Sequence, residues 1–133
     1  MQRQCDNALE LARFLQGLGG DIEVNYPGLE ESTYHEIAEK QFRNGYGAIV
    51  TVRTGSKEKA FSIINSLKIP LIISNIGDTK TLVIHPESTI AAHISDEEKL
   101  QSGVFEDLIR ISVGIEDIED LKKDFKEAIE NNR

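Results

Sequence analysis

Segments with helical periodicity and segments with strand character alternate along almost the whole of this 133-residue chain, without internal repeats or low-complexity linkers. The predicted strands are short and half polar, which is typical of a mixed or antiparallel sheet covered by helices on one face. A chain of this length can bury one core without disulfides or metals. We therefore predict a single domain over residues 1–133 with an α/β (α+β) fold, a two-layer sandwich with helices on one face of a small sheet.

The positions of the elements follow from periodicity and from helix-capping residues. Helices are predicted over 1–19 and from near residues 33, 56, 95 and 117, and strands over 21–24, 48–53, 70–74, 81–84 and 108–113. Thr33 with Glu36 fits a capping box, and Ser95 with Glu98 fits a second one. The helix that follows Thr33 is predicted to bury Tyr34, Ile37, Ala38 and Phe42. The dipeptide at 27–28, Pro-Gly, fits the centre of a type II turn.

Charge and cysteine content narrow the class of protein. The formal net charge is −8, and Lys and Arg are scattered and outnumbered, so we expect no nucleic-acid partner. The single cysteine, Cys5, cannot form an internal disulfide, which favours a reducing compartment, and we expect a cytoplasmic protein. No apolar run approaches the length of a membrane span and no signal-peptide profile is present, so we expect no membrane partner.

Arg110 is the strongest candidate for a binding residue. The strand predicted over 108–113 has two different faces, one apolar (Ile109, Ile111, Val113) and one mixed (Leu108, Arg110, Ser112). A guanidinium is always charged and presents a planar fork of donors that fits a carboxylate, which is how an enzyme can anchor an amino acid. Most arginines on a strand are only solvated, however, so the residues alone leave both interpretations open.

The other candidates are weaker. The amide of Asn75 could donate to a ligand, although Ser-Asn-Ile-Gly-Asp also fits a plain turn. The segment 54–57 places a glycine and a lysine at a helix start, but it lacks the spacing of a phosphate loop, and we interpret it as a plain helix start. We predict no metal site and no catalytic residue, because no histidine pairs with acidic residues at metal-ligand spacing: His35, His85 and His93.

Two segments carry a resemblance to a known family. They are Asn75-Ile-Gly-Asp-Thr-Lys-Thr-Leu-Val-Ile-His-Pro86 and Asp107-Leu-Ile-Arg-Ile-Ser-Val-Gly-Ile-Glu116. Together they resemble the C-terminal domain of the pyridoxal-phosphate (PLP) enzymes of cysteine and methionine metabolism, the trans-sulfuration family, and the resemblance extends over nearly the whole chain. It implies the two-layer fold of the C-terminal domain of fold-type I PLP enzymes. The helix over 1–19 would then continue from an N-terminal PLP domain that is missing here.

The resemblance also implies roles for individual residues. Arg110 matches the arginine that binds the substrate α-carboxylate in the pattern Ile-Arg-x-Ser-Val-Gly-Ile-Glu. Asn75 matches the position of a serine that helps to hold the same carboxylate in many members. Ser88 and Thr89 match residues of a conserved stretch and are candidate pocket residues.

Three positions limit what the resemblance implies. The family usually has a histidine where this chain has Ala91, and whether His93, two positions later, takes its place is open. Lys80 lies in a Thr-Lys pair like that of the Schiff-base lysine, but it lacks the flanking Ser and Gly-His, so we assign it no role. Pro86 biases His85 toward an extended conformation, and we interpret His85 as structural.

The implied activity is the elimination or replacement of the γ-substituent of an amino acid on PLP. The pattern Asn-x-Gly-Asp-x-Lys-x-Leu-x-Ile-His-Pro is typical of the O-acetylhomoserine sulfhydrylase branch, which converts O-acetyl-L-homoserine and sulfide or a thiol to homocysteine or methionine and acetate. The alternatives are a domain of cystathionine γ-synthase or methionine γ-lyase, or a stand-alone amino-acid-binding domain. Residues outside this chain would decide which sulfur nucleophile is used and whether replacement or elimination occurs.

The implied partners are the amino-acid substrate and the N-terminal PLP domain. Because the PLP lysine and the phosphate-binding residues would lie in that domain, we expect this chain alone to bind no PLP and to catalyse no turnover. We expect the parent enzyme to be a homotetramer and this piece to be a monomer or a weak dimer.

Overall fold

A computed structural model describes residues 1–133 as five helices, five strands and one 3₁₀ turn. In chain order the elements are α1 (Gln2–Leu18), β1 (Glu23–Asn25), α2 (His35–Gln41), β2 (Ile49–Arg53), α3 (Lys57–Ser66), β3 (Leu71–Ile72), β4 (Leu82–Ile84), the 3₁₀ turn (Pro86–Ser88), α4 (Asp96–Gln101), β5 (Leu108–Ser112) and α5 (Ile118–Glu130). None of these helices combines the length and the apolar composition that a membrane span requires.

The strands form one mixed sheet in the order β1-β2-β5-β4-β3. All neighbours are antiparallel except β3 and β4, which are parallel. The last strand in the chain, β5, therefore occupies the centre, where Arg110 faces Thr51 of β2 and Ile84 of β4. The sheet is mixed, which is one of the two arrangements that the sequence predicted.

Helices cover one face of this sheet and build a single core with it. The core residues alternate along the strands and recur at helical spacing in α1, α3 and α5, as the two periodicities require. They include Ala8, Leu11 and Leu15 of α1, Ile63 of α3, Leu121 and Phe125 of α5, and Val50, Val83, Ile109 and Ile111 of the sheet. The two-layer arrangement is confirmed, and α1, α3 and α5 leave the opposite face of the sheet open.

Local capping chemistry explains where several helices begin. Ser95 and Glu98 form the predicted capping box of α4, and Ser56 accepts a hydrogen bond from Lys59 N–H at the start of α3. The capping box predicted at Thr33 is wrong, because α2 begins at His35 without a side-chain cap. The chain is still making turns there, with Ser32 N–H bonded to Leu29 O at 3.0 Å.

The apolar face predicted for α2 is also largely wrong. Of its four residues only Ala38 is buried, whereas Tyr34, Ile37 and Phe42 are 63%, 53% and 49% exposed. Ala38 lies outside the core cluster of the molecule, so the apolar periodicity of this short helix is not matched by burial. The predicted strand over 70–74 shrinks to the exposed pair β3 at the sheet edge.

The turn at 27–28 is correctly located but its type is wrong. Leu29 N–H donates to Tyr26 O at 3.0 Å, which closes the turn. Gly28 does not have the positive φ that a type II turn requires. Glycine is needed for space instead, because a Cβ at Gly28 would lie 2.6 Å from the ring of Tyr26 and 2.9 Å from that of Tyr46.

The core assignment predicts that two phenylalanines differ strongly in their contribution to stability. Phe125 is 2% exposed in the core, and Phe42 on α2 is 49% exposed. Phe125→Ala should lower the free energy of unfolding by about 3–5 kcal/mol, because it leaves a cavity, and Phe42→Ala by only about 0.5 kcal/mol. Urea unfolding of the 133-residue chain, followed by circular dichroism, measures both. Equal losses would contradict the described core.

Candidate functional site

A cleft of about 620 Å³ lies over the face of the sheet that α1, α3 and α5 leave open. Residues of β1, β2 and β5 form its floor, and the segments 29–34 and 102–105 form its walls. Two arginines from neighbouring strands, Arg53 and Arg110, reach this cleft. Their surroundings differ, and that difference locates the candidate site.

Arg53 is neutralised within the chain. Its Nε lies 3.0 Å from Oδ1 of the buried carboxylate of Asp107, and its guanidinium lies 4.0 Å from the centre of the Phe105 ring. The second oxygen of Asp107 accepts the N–H of Gly55 at 3.1 Å. Arg53 is thus held in a structural ion pair that ties β2 to the start of β5.

Arg110 has no carboxylate partner in the chain. Its Nη2 donates one hydrogen bond, of 2.8 Å, to the carbonyl oxygen of Ser74, and it forms no ion pair. Partial burial lowers the pKa of Arg110 from its ordinary value, although a guanidinium remains protonated at neutral pH. Arg110 is therefore the arginine of the cleft that has no ion pair, although the carboxylates of Glu23 and Glu31 also line the cleft, and its free donors are a candidate site for an anion.

The two segments that carry the family resemblance bind each other directly. Residues 110, 112, 114, 115 and 116 contact residues 74, 77, 79 and 81, and we call this contact the 74–81/110–116 pairing. Its hydrogen bonds are Arg110 Nη2 to Ser74 O (2.8 Å), Gly77 N to Ser112 Oγ (3.1 Å), Gly114 N to Thr81 Oγ1 (2.9 Å), Ile115 N to Thr79 O (2.8 Å), and Thr81 N and Oγ1 to the Glu116 carboxylate (2.8 and 2.7 Å).

Sequence reasoning missed the roles of Ser112 and Glu116 in this pairing. Ser112 is 1% exposed, and its hydroxyl accepts the Gly77 N–H, while both oxygens of Glu116 accept from Thr81. The signal that could have revealed them is the period of two that places polar residues at 110 and 112 within β5 and at 116 just after it.

Helix α1 secures both segments from the side. The Nε2 of buried Gln4 donates to Asp78 O at 2.8 Å, and Nδ2 of buried Asn7 donates to Gly114 O at 3.1 Å and to Glu116 O at 2.8 Å. These side-chain amides satisfy backbone carbonyls that no strand partner reaches. The position of the loop before β4 is thus set by β5 and α1 together.

Asn75 lies in the loop directly after Ser74, whose carbonyl oxygen accepts from Arg110. Its side chain is exposed and makes no hydrogen bond within the chain. The structure therefore brings the backbone next to Asn75 to the Arg110 guanidinium and leaves the Asn75 amide available. Its assignment to substrate binding stays a prediction.

Ser88 and Thr89 lie outside the cleft that contains Arg110. The hydroxyl of Ser88 lies 2.8 Å from Nδ1 of His85, and that of Thr89 donates to His85 O at 2.8 Å. The neighbouring residues that do line the cleft are Pro86 and Ile90. The assignment of Ser88 and Thr89 as pocket residues stays a prediction, and in this structure their hydroxyls bond to His85 and support the turn.

His85 is a structural residue in its contacts. It is 3% exposed, its Nε2 lies 2.6 Å from Glu106 O, and its ring lies 4.6 Å from that of Phe61. Both ring nitrogens therefore have partners in the chain. His93 is exposed, and Ala91, at the position of the family histidine, is buried.

The segment 54–57 starts α3 and takes part in a charge cluster. Lys57 and Lys99 each donate to the carboxylate of Glu87 at 2.9 Å. These two hydrogen bonds lower the pKa of Glu87 to about 2. Ser56 caps the helix, as the interpretation of a plain helix start expects.

The lysines of the chain do not fit the attachment of PLP. Schiff-base formation needs an amine whose pKa is lowered by burial or by a neighbouring cation. The buried Lys99 is paired with Glu87, and the hydrogen bonds that Lys57 and Lys122 donate to carboxylates raise the pKa of both lysines. Lys80 is exposed in the loop before β4. The structure also has no group of three His, Cys, Asp or Glu side chains placed to hold a metal ion.

Comparison with known proteins adds a family match and close relatives. The profile of the family described as "Cys/Met metabolism PLP-dependent enzyme" matches residues 1–130. The "Homocysteine synthase" of Schizosaccharomyces pombe is 41% identical over 98% of this chain and 30% of its own length. The "O-acetyl-L-homoserine sulfhydrylase 1" of Thermus thermophilus is 42% identical over 96% of this chain and 31% of its own length.

The fold is shared with solved structures of such proteins. The crystal structure of yeast cystathionine gamma-lyase superposes with a TM-score of 0.92 and 32% identity, over 98% of this chain and 34% of that one. The chain thus spans about a third of the length of the proteins that it matches.

The 74–81/110–116 pairing predicts that Gly114 tolerates no side chain. A Cβ at Gly114 would lie 2.2 Å from the carbonyl oxygen of Thr79, which is backbone and cannot swing away. Gly114→Ala should therefore destabilise the chain by about 3 kcal/mol or more. Gly17→Ala is the matched control, because the same methyl group at helical Gly17 meets open space and should stabilise by roughly 0.5–1 kcal/mol. Denaturant unfolding compares the two variants. If Gly114→Ala left the free energy of unfolding unchanged, the close contact between Gly114 and the Thr79 backbone would be contradicted.

The Glu87 cluster predicts a specific dependence of stability on pH. The folded-state pKa of about 2 lies below the ordinary value of 4.5, so Glu87 stabilises the fold fully above about pH 4.5 and loses this effect as the pH falls toward 2. Glu87→Gln should lower the melting temperature at pH 7 and differ little from the unsubstituted chain at pH 2.5. Glu97→Gln, at an exposed position without an ion pair, should show no such pattern. A Glu87→Gln loss that is equal at both pH values would show that packing, not charge, is responsible.

Proposed function

This chain belongs to the Cys/Met metabolism PLP-dependent enzyme family, and from this premise we propose that it is the substrate-side domain of a longer PLP-dependent enzyme of sulfur amino-acid metabolism. The proposed reaction of the longer protein is that of an O-acetylhomoserine sulfhydrylase. O-acetyl-L-homoserine and sulfide or a thiol give homocysteine or methionine, and acetate leaves. The contribution of this domain is the binding of the α-carboxylate by Arg110, with Asn75 as a second donor.

The observation that carries the proposal is the uncompensated charge of Arg110. Two arginines reach the same cleft, and only Arg53 has a carboxylate partner from the chain. Arg110 is half-buried, with one hydrogen bond to Ser74 O and the remaining donors of its fork unused by protein carboxylates. A carboxylate is the anion that a guanidinium fork binds through two parallel hydrogen bonds.

The position of Arg110 suits an anchor that must not move. It lies on the central strand, between β2 and β4, and Ser74 O restrains its guanidinium. Fixing the carboxylate in this way orients the rest of the amino acid, which lowers the entropic part of the barrier. PLP, which would act as electron sink for the bound amino acid, would have to be held by residues outside 1–133, because the lysines here do not fit it.

The choice of a sulfhydrylase rests on the segment 75–86 and on the relatives. The two curated proteins described above carry names of homocysteine-forming activities at 41% and 42% identity. The fold alone does not select this branch, since a cystathionine gamma-lyase superposes with a TM-score of 0.92. The fold supports the family, and the segment 75–86 and the relatives support the branch.

Substitution of Arg110 in the longer protein tests the proposal. Arg110→Ala should lower kcat/KM for O-acetyl-L-homoserine about 100-fold and Arg110→Lys about 10-fold, because the lysine keeps the charge and loses the fork. The KM for sulfide should not change. Arg53→Lys, a change of the same kind in the same cleft, should cost less than about threefold, since Arg53 is paired with Asp107. Steady-state kinetics with O-acetyl-L-homoserine varied at saturating sulfide gives kcat/KM of the three variants, and a second series with sulfide varied gives the KM for sulfide.

Two results would overturn the proposal. If Arg110→Ala reduced turnover equally for 3-aminopropyl acetate, which is the substrate without its carboxylate, then Arg110 would not act on that group. If the 133-residue chain bound amino acids at micromolar concentration in calorimetry, it would be a stand-alone binding domain instead. If no homocysteine formed from O-acetyl-L-homoserine and sulfide, the sulfhydrylase assignment would be rejected, and the role of Arg110 would be tested with the substrate of another branch of the family.

A further inference from the structure

The loop that carries Asn75 is tied to β5 at two points. Arg110 donates to Ser74 O on one side of Asn75, and Ser112 Oγ accepts Gly77 N–H at 3.1 Å on the other side. Between these points, Asn75 and Ile76 are exposed. The loop is therefore a short bridge whose two ends rest on side chains of one strand.

Ser112 is the rigid end of this bridge. It is 1% exposed and lies in the central strand, paired with Ile49 of β2 and Leu82 of β4. Ser112 and Arg110 are two residues apart on the same strand, so they project from the same face about 7 Å apart. One strand thus sets the positions of both the guanidinium and the hydroxyl that holds the loop.

We propose that Ser112 is a positioning residue, which holds the Asn75 amide at the distance from Arg110 that lets both groups bind one carboxylate. The inference rests on the proposed function, since it needs the carboxylate at Arg110. Without the Ser112 hydroxyl, Gly77 and Asp78 would keep the bonds from Gln4 Nε2 of α1 to their carbonyl oxygens, at 3.4 and 2.8 Å, and the next bond to the β5 side would be that of Ile115 N to Thr79 O. Neither comes from a residue beside Arg110, so the stretch around Asn75 would lose its nearest contact with β5 on the Gly77 side.

The loop that carries Asn75 and the guanidinium of Arg110 restrain each other. The loop carries Ser74, and Ser74 O is the one hydrogen-bond acceptor that Arg110 has in the chain. A looser loop therefore displaces Asn75 and also frees the guanidinium to take other orientations. The effects of substitutions at Ser112 and at Arg110 should consequently not be additive, as expected for residues in one network.

The test is Ser112→Ala in the longer protein, with Thr81→Val as a matched control. Both changes remove a buried hydroxyl from the 74–81/110–116 pairing, but Thr81 lies at the Gly114–Glu116 end, away from Asn75. Ser112→Ala should raise the KM for O-acetyl-L-homoserine about fivefold with kcat changed less than about twofold, the effect of one lost hydrogen bond on binding. Thr81→Val should lower the melting temperature and leave this KM unchanged.

Two further measurements separate positioning from general loosening. With 3-aminopropyl acetate as substrate, Ser112→Ala should have no effect on KM, because the carboxylate is absent. In an Arg110→Lys background, adding Ser112→Ala should raise KM less than about twofold. The inference would be overturned if Ser112→Ala raised the KM for 3-aminopropyl acetate as much as the KM for O-acetyl-L-homoserine. It would also be overturned if Thr81→Val raised the KM for O-acetyl-L-homoserine as much as Ser112→Ala does.

Two controls keep the result interpretable. If Ser112→Ala did not fold, Ser112→Cys would replace it, since its sulfur is a weaker acceptor in a similar volume, and a KM for O-acetyl-L-homoserine above that of the unsubstituted protein would support the inference. An unchanged KM in a folded Ser112→Cys protein would contradict it. An effect of Arg110→Ala together with none of Ser112→Ala would reject the role of Ser112 and leave the proposed function standing.

Discussion

The 74–81/110–116 pairing is the interaction on which the rest of the structure depends. Its hydrogen bonds reach from Arg110 to Glu116 on one side and from Ser74 to Thr81 on the other. They hold β4 beside β5 and so set the register of the strand at the centre of the sheet. Because strand side chains alternate, a slip of one residue would send Ile109 and Ile111 out of the core and Arg110 into it.

The same strand divides the chain into a part that provides stability and a part that can bind a ligand. On the helix side, β5 contributes apolar residues to the one core of the molecule. On the open side it presents Arg110 to a cleft in which the neighbouring Arg53 is already neutralised by Asp107. The charge that remains uncompensated is therefore held by the most constrained strand, which is the arrangement that positioning of a small anion requires.

Prediction from sequence succeeded where local chemistry and burial agree, and it failed where they do not. The capping box at Ser95 formed, with the Ser95 hydroxyl bonded to Glu98 N–H and to no other group. At Thr33 the chain is still in the turns of residues 29–32, so α2 begins two residues later, at His35. The apolar residues predicted for α2 have helical spacing, but three of the four are exposed. Periodicity indicates which face would be buried and carries no information on whether a partner surface exists.

The sequence by itself determined where most helices and strands lie and the two faces of β5, because these follow from periodicity. It left a mixed or an antiparallel sheet open, and Arg110 became the candidate anchor through the family resemblance that its segment carries. Only the tertiary structure decided that Arg53 is neutralised and Arg110 is not, that Ser88 and Thr89 support His85, and that Ser112 holds the loop of Asn75. Each of these depends on which distant residue comes within hydrogen-bond distance. That is fixed by the packing of β5 between β2 and β4, and no local pattern encodes it.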